Sequence, residues 1–185
     1  MSFPQVAAAL CASVVLALAV ANAPYAAPAA AAAPCVRGES ETRGKSSVDE
    51  GEIRWTEATK YDDLRKHAIT EWNRFRTINI AADTSITVNN LEFRDYSAND
   101  GRGGYYERHG ATAATDSIYL NKHLLDGRYK DEPRMRQNIV VHELGHALGL
   151  CHKADTVNSA LRKNVSTKHV PTAVDQANYN KLWGR

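Results

Sequence analysis

The 185-residue chain carries 23 Lys and Arg against 21 Asp and Glu, a formal net charge of +2. That length suits one domain with a proper core, and the near balance of charge argues against nucleic acid or an acidic membrane as a partner. The charge is unevenly placed, however: residues 1–34 hold no Asp, Glu, Lys or Arg, and charged side chains begin at Arg37.

Val6 to Val20 is an apolar run that closes on Ala21-Asn22-Ala23, an A-x-A cleavage pattern. The run is short of the about 20 residues that a bilayer span needs. Residues 1–34 therefore read as an export signal with an Ala/Pro-rich tail, a retained anchor being the rival reading. Export makes the mature protein extracellular, with no stable membrane association after cleavage, and leaves Cys35 and Cys151, an even count for an oxidising compartment.

Residues 35–51 are polar, with Gly and Ser interspersed, and read as a flexible arm. Glu52 to Thr56 alternates as a strand does. Tyr61, Leu64, Ala68, Trp72 and Phe75 then recur at helical spacing, which predicts an amphipathic helix over 62–76 with Asp62 and Asp63 at its positive end. His67 lies off that apolar stripe and is expected in solvent. Short β-type runs follow at Ile78–Ile80, Ile86–Val88 and Leu91–Phe93, with Asn89-Asn90 as a turn or bulge. Asp95 and Asp100 offer oxygen ligands for a calcium ion, although a plain turn explains the same residues. Gly104–His109 and Ser117–Asn121 are two further candidate strands, and His109 and His123 are isolated surface histidines.

Asp131-Glu132-Pro133 opens the next helix, since Pro suits the first turn. That helix carries His142-Glu143-Leu144-Gly145-His146-Ala147-Leu148-Gly149-Leu150-Cys151-His152, the pattern H-E-x-x-H-x-x-G-x-x-H. His142 and His146, four residues apart, project from one face, while Val140, Val141, Leu144 and Leu148 cover the opposite one. Gly149 can end the helix with a positive backbone dihedral and return His152 as a third ligand for one zinc ion. Glu143 sits where it reaches a water at the metal without being a ligand itself. Gly145 leaves room beside the two helical ligands. Cys35 and Cys151 are expected to pair in a disulfide; the alternative is that the Cys35 thiolate masks the zinc.

This motif resembles that of the metzincin clan of zinc metalloproteases, and the chain is most similar to its small secreted, matrixin-like bacterial members. The resemblance implies an α+β fold over residues 52–185: a twisted mixed sheet, a packed helix, an active-site zinc helix and a C-terminal helix. It implies an endopeptidase that hydrolyses peptide bonds with a zinc-activated water, Glu143 being the general base and His142, His146 and His152 the metal ligands. It also implies a monomer that binds substrate as an extended peptide along an edge strand, a role that chain order assigns to the residues around Tyr105 and Tyr106. A zinc-binding interaction module without turnover, or a zinc hydrolase of non-peptide substrates, would carry the same motif. The clan keeps a methionine beneath the ligands; here Asn158-Ser159-Ala160-Leu161 matches that turn with Leu161 in its place. Thr172 to Asp175 has capping-box spacing and starts a last helix bearing Val174, Tyr179, Leu182 and Trp183. Nothing in its position gives Tyr179 a role at the metal.

Overall fold

The computed structural model describes residues 30–110 and 115–184; the apolar run and its cleavage pattern lie outside them. The fold is mixed α/β, with five strands in the order β2-β1-β3-β5-β4. These are β1 (Glu52–Ala58), β2 (Asn79–Ala82), β3 (Leu91–Tyr96), β4 (Gly104–Glu107) and β5 (Asp116–Asn121). All neighbours run parallel except β4, which pairs antiparallel to β5 and forms one edge of the sheet. Edge position leaves one side of β4 without a strand partner among the described residues, the side on which the sequence reading placed an extended peptide.

Helix α1 (Asp62–Asn73) crosses from β1 to β2 and buries Leu64, Ala68 and Trp72. It stops three residues short of the expected Arg76 because its end tightens: Phe75 and Arg76 bond back to Trp72 and Asn73, and Arg76 adopts a φ of 59°. The Asn73 side chain meanwhile pairs with both backbone groups of Ile80 at 2.9 Å, fastening the helix end to β2. His67 is not in open solvent as expected. Its Nε2 lies 2.7 Å from the His169 carbonyl, and the two rings stack.

The Ile86–Val88 strand does not form. Thr87 bonds to Asp83, and its hydroxyl accepts from the Thr84 backbone at 2.8 Å, so side chains take over the hydrogen bonding that a ladder would need. Ile86 and Val88 are left 93% and 74% exposed. Asn90 makes a bridge rather than a bulge, its side-chain oxygen accepting from the Arg54 backbone at 2.8 Å.

Helix α2 (Pro133–Ala147) packs on α1, and the Trp72 indole donates to the Val141 carbonyl at 2.9 Å. Val140, Val141, Leu144 and Leu148 are fully buried, as their spacing implied. Helix α3 (Ala173–Trp183) starts with the expected capping box of Thr172 and Asp175. Tyr179 belongs to the core, accepting from the Ile78 backbone at 2.8 Å and lying against Trp72 and Phe75.

The segment read as a flexible arm is instead laid along the end of α2. Val36 donates to the His152 carbonyl, Thr42 to Gly149 and Ser47 to Ala147, all within 3.0 Å. The polar composition that suggested disorder supplies side chains that the fold uses: Ser46 and Ser47 are buried, and Ser47 donates to Asp116 at 2.7 Å. Ala33, read with the tail of the export signal, is also held, its N–H and C=O both bonded to the Asn178 side chain. Cys35 and Cys151 form the expected disulfide.

Candidate metal centre

The last turn of α2 and the chain that leaves it bring three imidazoles together. His142 and His146 come from one helical face; Gly149, at φ 81°, turns the chain so that His152 faces back toward them. The His146 Nε2 lies 3.0 Å from that of His142 and 3.1 Å from that of His152. Each Nδ1 is matched with an acceptor: His142 with the Ala160 carbonyl at 3.2 Å, His146 with the Leu150 carbonyl at 2.9 Å, and His152 with the Glu39 carboxylate at 2.9 Å. Carbonyls and a carboxylate can only accept, so each neutral ring carries its proton on Nδ1. Three Nε2 lone pairs then converge, an arrangement that is repulsive without a cation. Their spacing is near the roughly 3.3 Å between donors of a tetrahedral centre with metal–nitrogen bonds of about 2.0–2.1 Å. The donor set fits a metal ion.

Burial and the neighbouring rings favour the neutral form of His142 and His146. Burial pushes His142 well below the ordinary imidazole value, helped by His146 and His152, and takes His146 down to about 4. Burial raises the Glu39 carboxyl, but the backbone N–H and ring of His152 outweigh it and hold it below the usual range. Glu143 is buried beside the triad, and loss of hydration raises its carboxyl to about 8 despite a hydrogen bond from the Tyr106 backbone.

A second ring of groups fixes the first. The Asn138 side chain, one turn before His142, donates to the same Ala160 carbonyl at 3.0 Å and to Lys168 at 2.8 Å. Asp175 of α3 is fully buried; it accepts from the Ala160 backbone at 2.8 Å and from the Ser159 hydroxyl, so the last helix holds the 158–161 turn in place. Leu161 of that turn packs onto Gly145 between the two helical histidines. A Cβ at Gly145 would stand 2.6 Å from the Leu161 side chain and 3.0 Å from Trp72, so the glycine makes room for the core and not for the histidines.

The segment from Ala33 to Glu41 forms a strap across His152. The fully buried Lys153 amine donates to Glu41 at 2.6 Å and to the Ala33 carbonyl at 2.9 Å, and Glu41 also accepts from Asn178 at 2.6 Å. Cys35, Glu41 and Cys151 lie close enough to resemble a second metal group, but the disulfide occupies both sulfurs. Asp95 and Asp100 do not converge on a calcium site: Asp95 accepts from Thr59 and Lys60, while Asp100 is turned to Arg102 and Asn121. His109 and His123 are exposed, away from the triad.

The sequence reading brings together the three histidines and Glu143 but not Glu39, Asn138 or Asp175. Two of these had a signal. Asn138 shares the helical face of His142 by spacing, and a bond from Cys35 to Cys151 puts Glu39, four residues further on, within reach of His152. The buried face of Asp175 had none beyond its capping-box position.

No protein-family model matches the chain, and no curated protein does. Among solved structures, myroilysin is similar with a TM-score of 0.51 at 13% identity, over 78% of this chain and 98% of that one. The GM1-bound form of the ECX AB5 holotoxin aligns at a TM-score of 0.48 and 14% identity, over 78% of both chains. Among the described residues, no helix is long and apolar enough to cross a membrane.

Proposed function

We propose that the chain is a secreted zinc endopeptidase of the metzincin type, with His142, His146 and His152 holding the ion and Glu143 as the general base. The observation that carries this reading is the convergence of three Nε2 lone pairs beside a buried carboxyl, in a cleft bounded by an edge strand. Three nitrogen donors, with no fourth protein ligand among the described residues, make the donor set of a catalytic zinc; a structural zinc is closed by a fourth. The fold likeness to myroilysin supports the architecture alone.

A bound zinc supplies a Lewis acid that acidifies water and polarises a peptide carbonyl. This chain's own part is positional and protonic. Glu143 accepts the water's proton and carries it to the departing amine. Its high proton affinity in the dry pocket suits that exchange, and a neighbouring cation draws the carboxyl back toward its ionised form. The Tyr106 backbone beside Glu143 favours the ionised carboxylate and so works against the effect of burial. The open side of β4 aligns an extended substrate through its backbone groups. Glu39, Leu150 and Ala160 hold the rings in the tautomer that leaves Nε2 free. Leu161 takes the place the clan gives to methionine; the two are close in volume, so the floor of the site is kept.

The test is zinc content and peptide cleavage by the exported form, compared with two variants. Glu143→Gln keeps one zinc per chain and loses about 10²–10⁴-fold in kcat, whereas His152→Ala loses the metal. Stoichiometric zinc with no cleavage of a broad peptide library by the wild type would overturn the protease reading and leave a zinc-binding module.

A further inference from the structure

The centre lies where two depressions meet. One, of about 760 Å³, is lined by Arg128 and Lys163 together with the three histidines and Glu143. The other, of about 350 Å³, is lined by Lys45 and Arg108 and shares Tyr106, His146 and His152 with the first. Arg128, Lys163, Lys45 and Arg108 are all exposed, and among the described residues none of them is in an ion pair. Arg102, which also lines the first depression, is instead paired with Asp100. The acids on the walls do not balance these four cations. Glu39 is engaged by His152, and Glu143 is buried in the floor. The two depressions thus carry an excess of positive charge around the three histidines.

From this we infer that the substrate is an acidic protein segment, one carrying Asp or Glu side chains on both sides of the bond that is cut. The inference rests on the endopeptidase reading and adds the substrate class. A concave, low-dielectric groove focuses the field of its charges, so unpaired cations there raise the local concentration and lifetime of an anionic ligand. An extended peptide suits the groove better than a nucleic acid strand does. The edge strand offers backbone pairing, and the Tyr105 ring that would stack a base is engaged, stacked on Tyr119 and covered by Arg102.

The experiment uses the zinc-loaded full chain and pairs of peptides identical except for Asp and Glu against Asn and Gln. The acidic member is expected to be cleaved with about tenfold higher kcat/KM at low salt, an advantage that shrinks as salt screens the groove. Arg128→Glu with Lys163→Glu, and separately Lys45→Glu with Arg108→Glu, should each abolish the preference for acids on one side of the scissile bond. The Glu143→Gln form, read by fluorescence anisotropy, should bind the acidic peptide about tenfold more tightly than its neutral counterpart. Preferential binding with no cleavage of any peptide would uphold the acidic ligand and sink the protease. Equal cleavage of both members, equal binding, charge reversals that leave the ratio unchanged, or a short oligonucleotide that binds more tightly than the acidic peptide would overturn the inference.

Discussion

At the scale of single residues, Glu39 is the side chain most open to test. Its carboxylate receives the His152 backbone N–H at 2.9 Å and matches the ring Nδ1, so it sets both the position and the tautomer of the histidine supplied by a loop. His142 and His146 stand on a helix and need less help. Partners of this kind are worth about 10–100-fold in metal affinity when lost. Glu39→Ala is therefore expected to weaken zinc by about that factor in chelator competition, and an unchanged affinity would show that the strap leaves His152 as it is. Glu143 makes a separate prediction for the metal-free protein. Its folded carboxyl titrates near 8 against an ordinary 4.5, because burial disfavours the charged form. The folded state then holds a proton that the unfolded chain has released, so stability is fully present below 4.5 and is lost as pH rises through about 8. Glu143→Gln removes that loss. The variant's advantage in denaturation midpoint over the wild type should be absent near pH 4.5 and grow up to about pH 9, whereas a pH-independent difference would contradict the buried, proton-holding carboxyl. Comparing the two proteins cancels the opposite effect of His142 and His146, whose lowered values cost stability as pH falls below 6.5.

At the scale of elements, α2 and the 158–161 turn act as one unit, and Gly145 is where they touch. Placing a Cβ there brings it to 2.6 Å from Leu161 and 3.0 Å from Trp72, in a fully buried contact. Overpacking of this kind costs about 1–3 kcal/mol, and the strain falls on the turn whose Ala160 carbonyl orients His142. Gly145→Ala is expected to lower both the denaturation midpoint and zinc affinity. A loss of stability alone would mean that the turn and the ligand are not coupled. The same unit shows what a sequence can and cannot reveal. Helical spacing exposed both faces of α2 and the role of Gly149, because period and backbone dihedral are local properties. The reason for Gly145 was not legible, since it depends on Leu161 and Trp72 arriving from distant parts of the chain. Ile86–Val88 failed for a related reason: alternation suggested a strand, but the threonines bonded locally and no neighbouring strand competed for them. The polar residues of 35–51 hid an ordered strap because polarity marks disorder only when the fold offers no partners.

At the scale of the whole molecule, α2, α3, the edge strand and the strap all bring groups to one region, yet four residues of it came from the eleven-residue motif alone. What was missing was the support: Glu39 from the start of the chain, Asp175 from its end and Asn138 from the helix itself. On the proposed reading, such convergence ties the stability of the fold to a bound cation. The strap, the end of α2 and the 158–161 turn each hold one histidine, and without a cation their three lone pairs oppose one another at 3.0–3.1 Å. A ligand that binds only the folded state stabilises it by about 4 kcal/mol when present at 1,000 times its dissociation constant. For a domain of this size each kcal/mol moves the melting temperature by about 2–4 °C. Zinc at that excess is thus expected to raise the melting temperature by about 8–16 °C over the chelator-treated protein. The shift should collapse in His152→Ala, which removes the ligand held by the strap, and persist in Glu143→Gln, which keeps all three nitrogens. A midpoint indifferent to zinc in the wild type would mean that the triad does not take up the metal with useful affinity, and the proposed chemistry would fall with it.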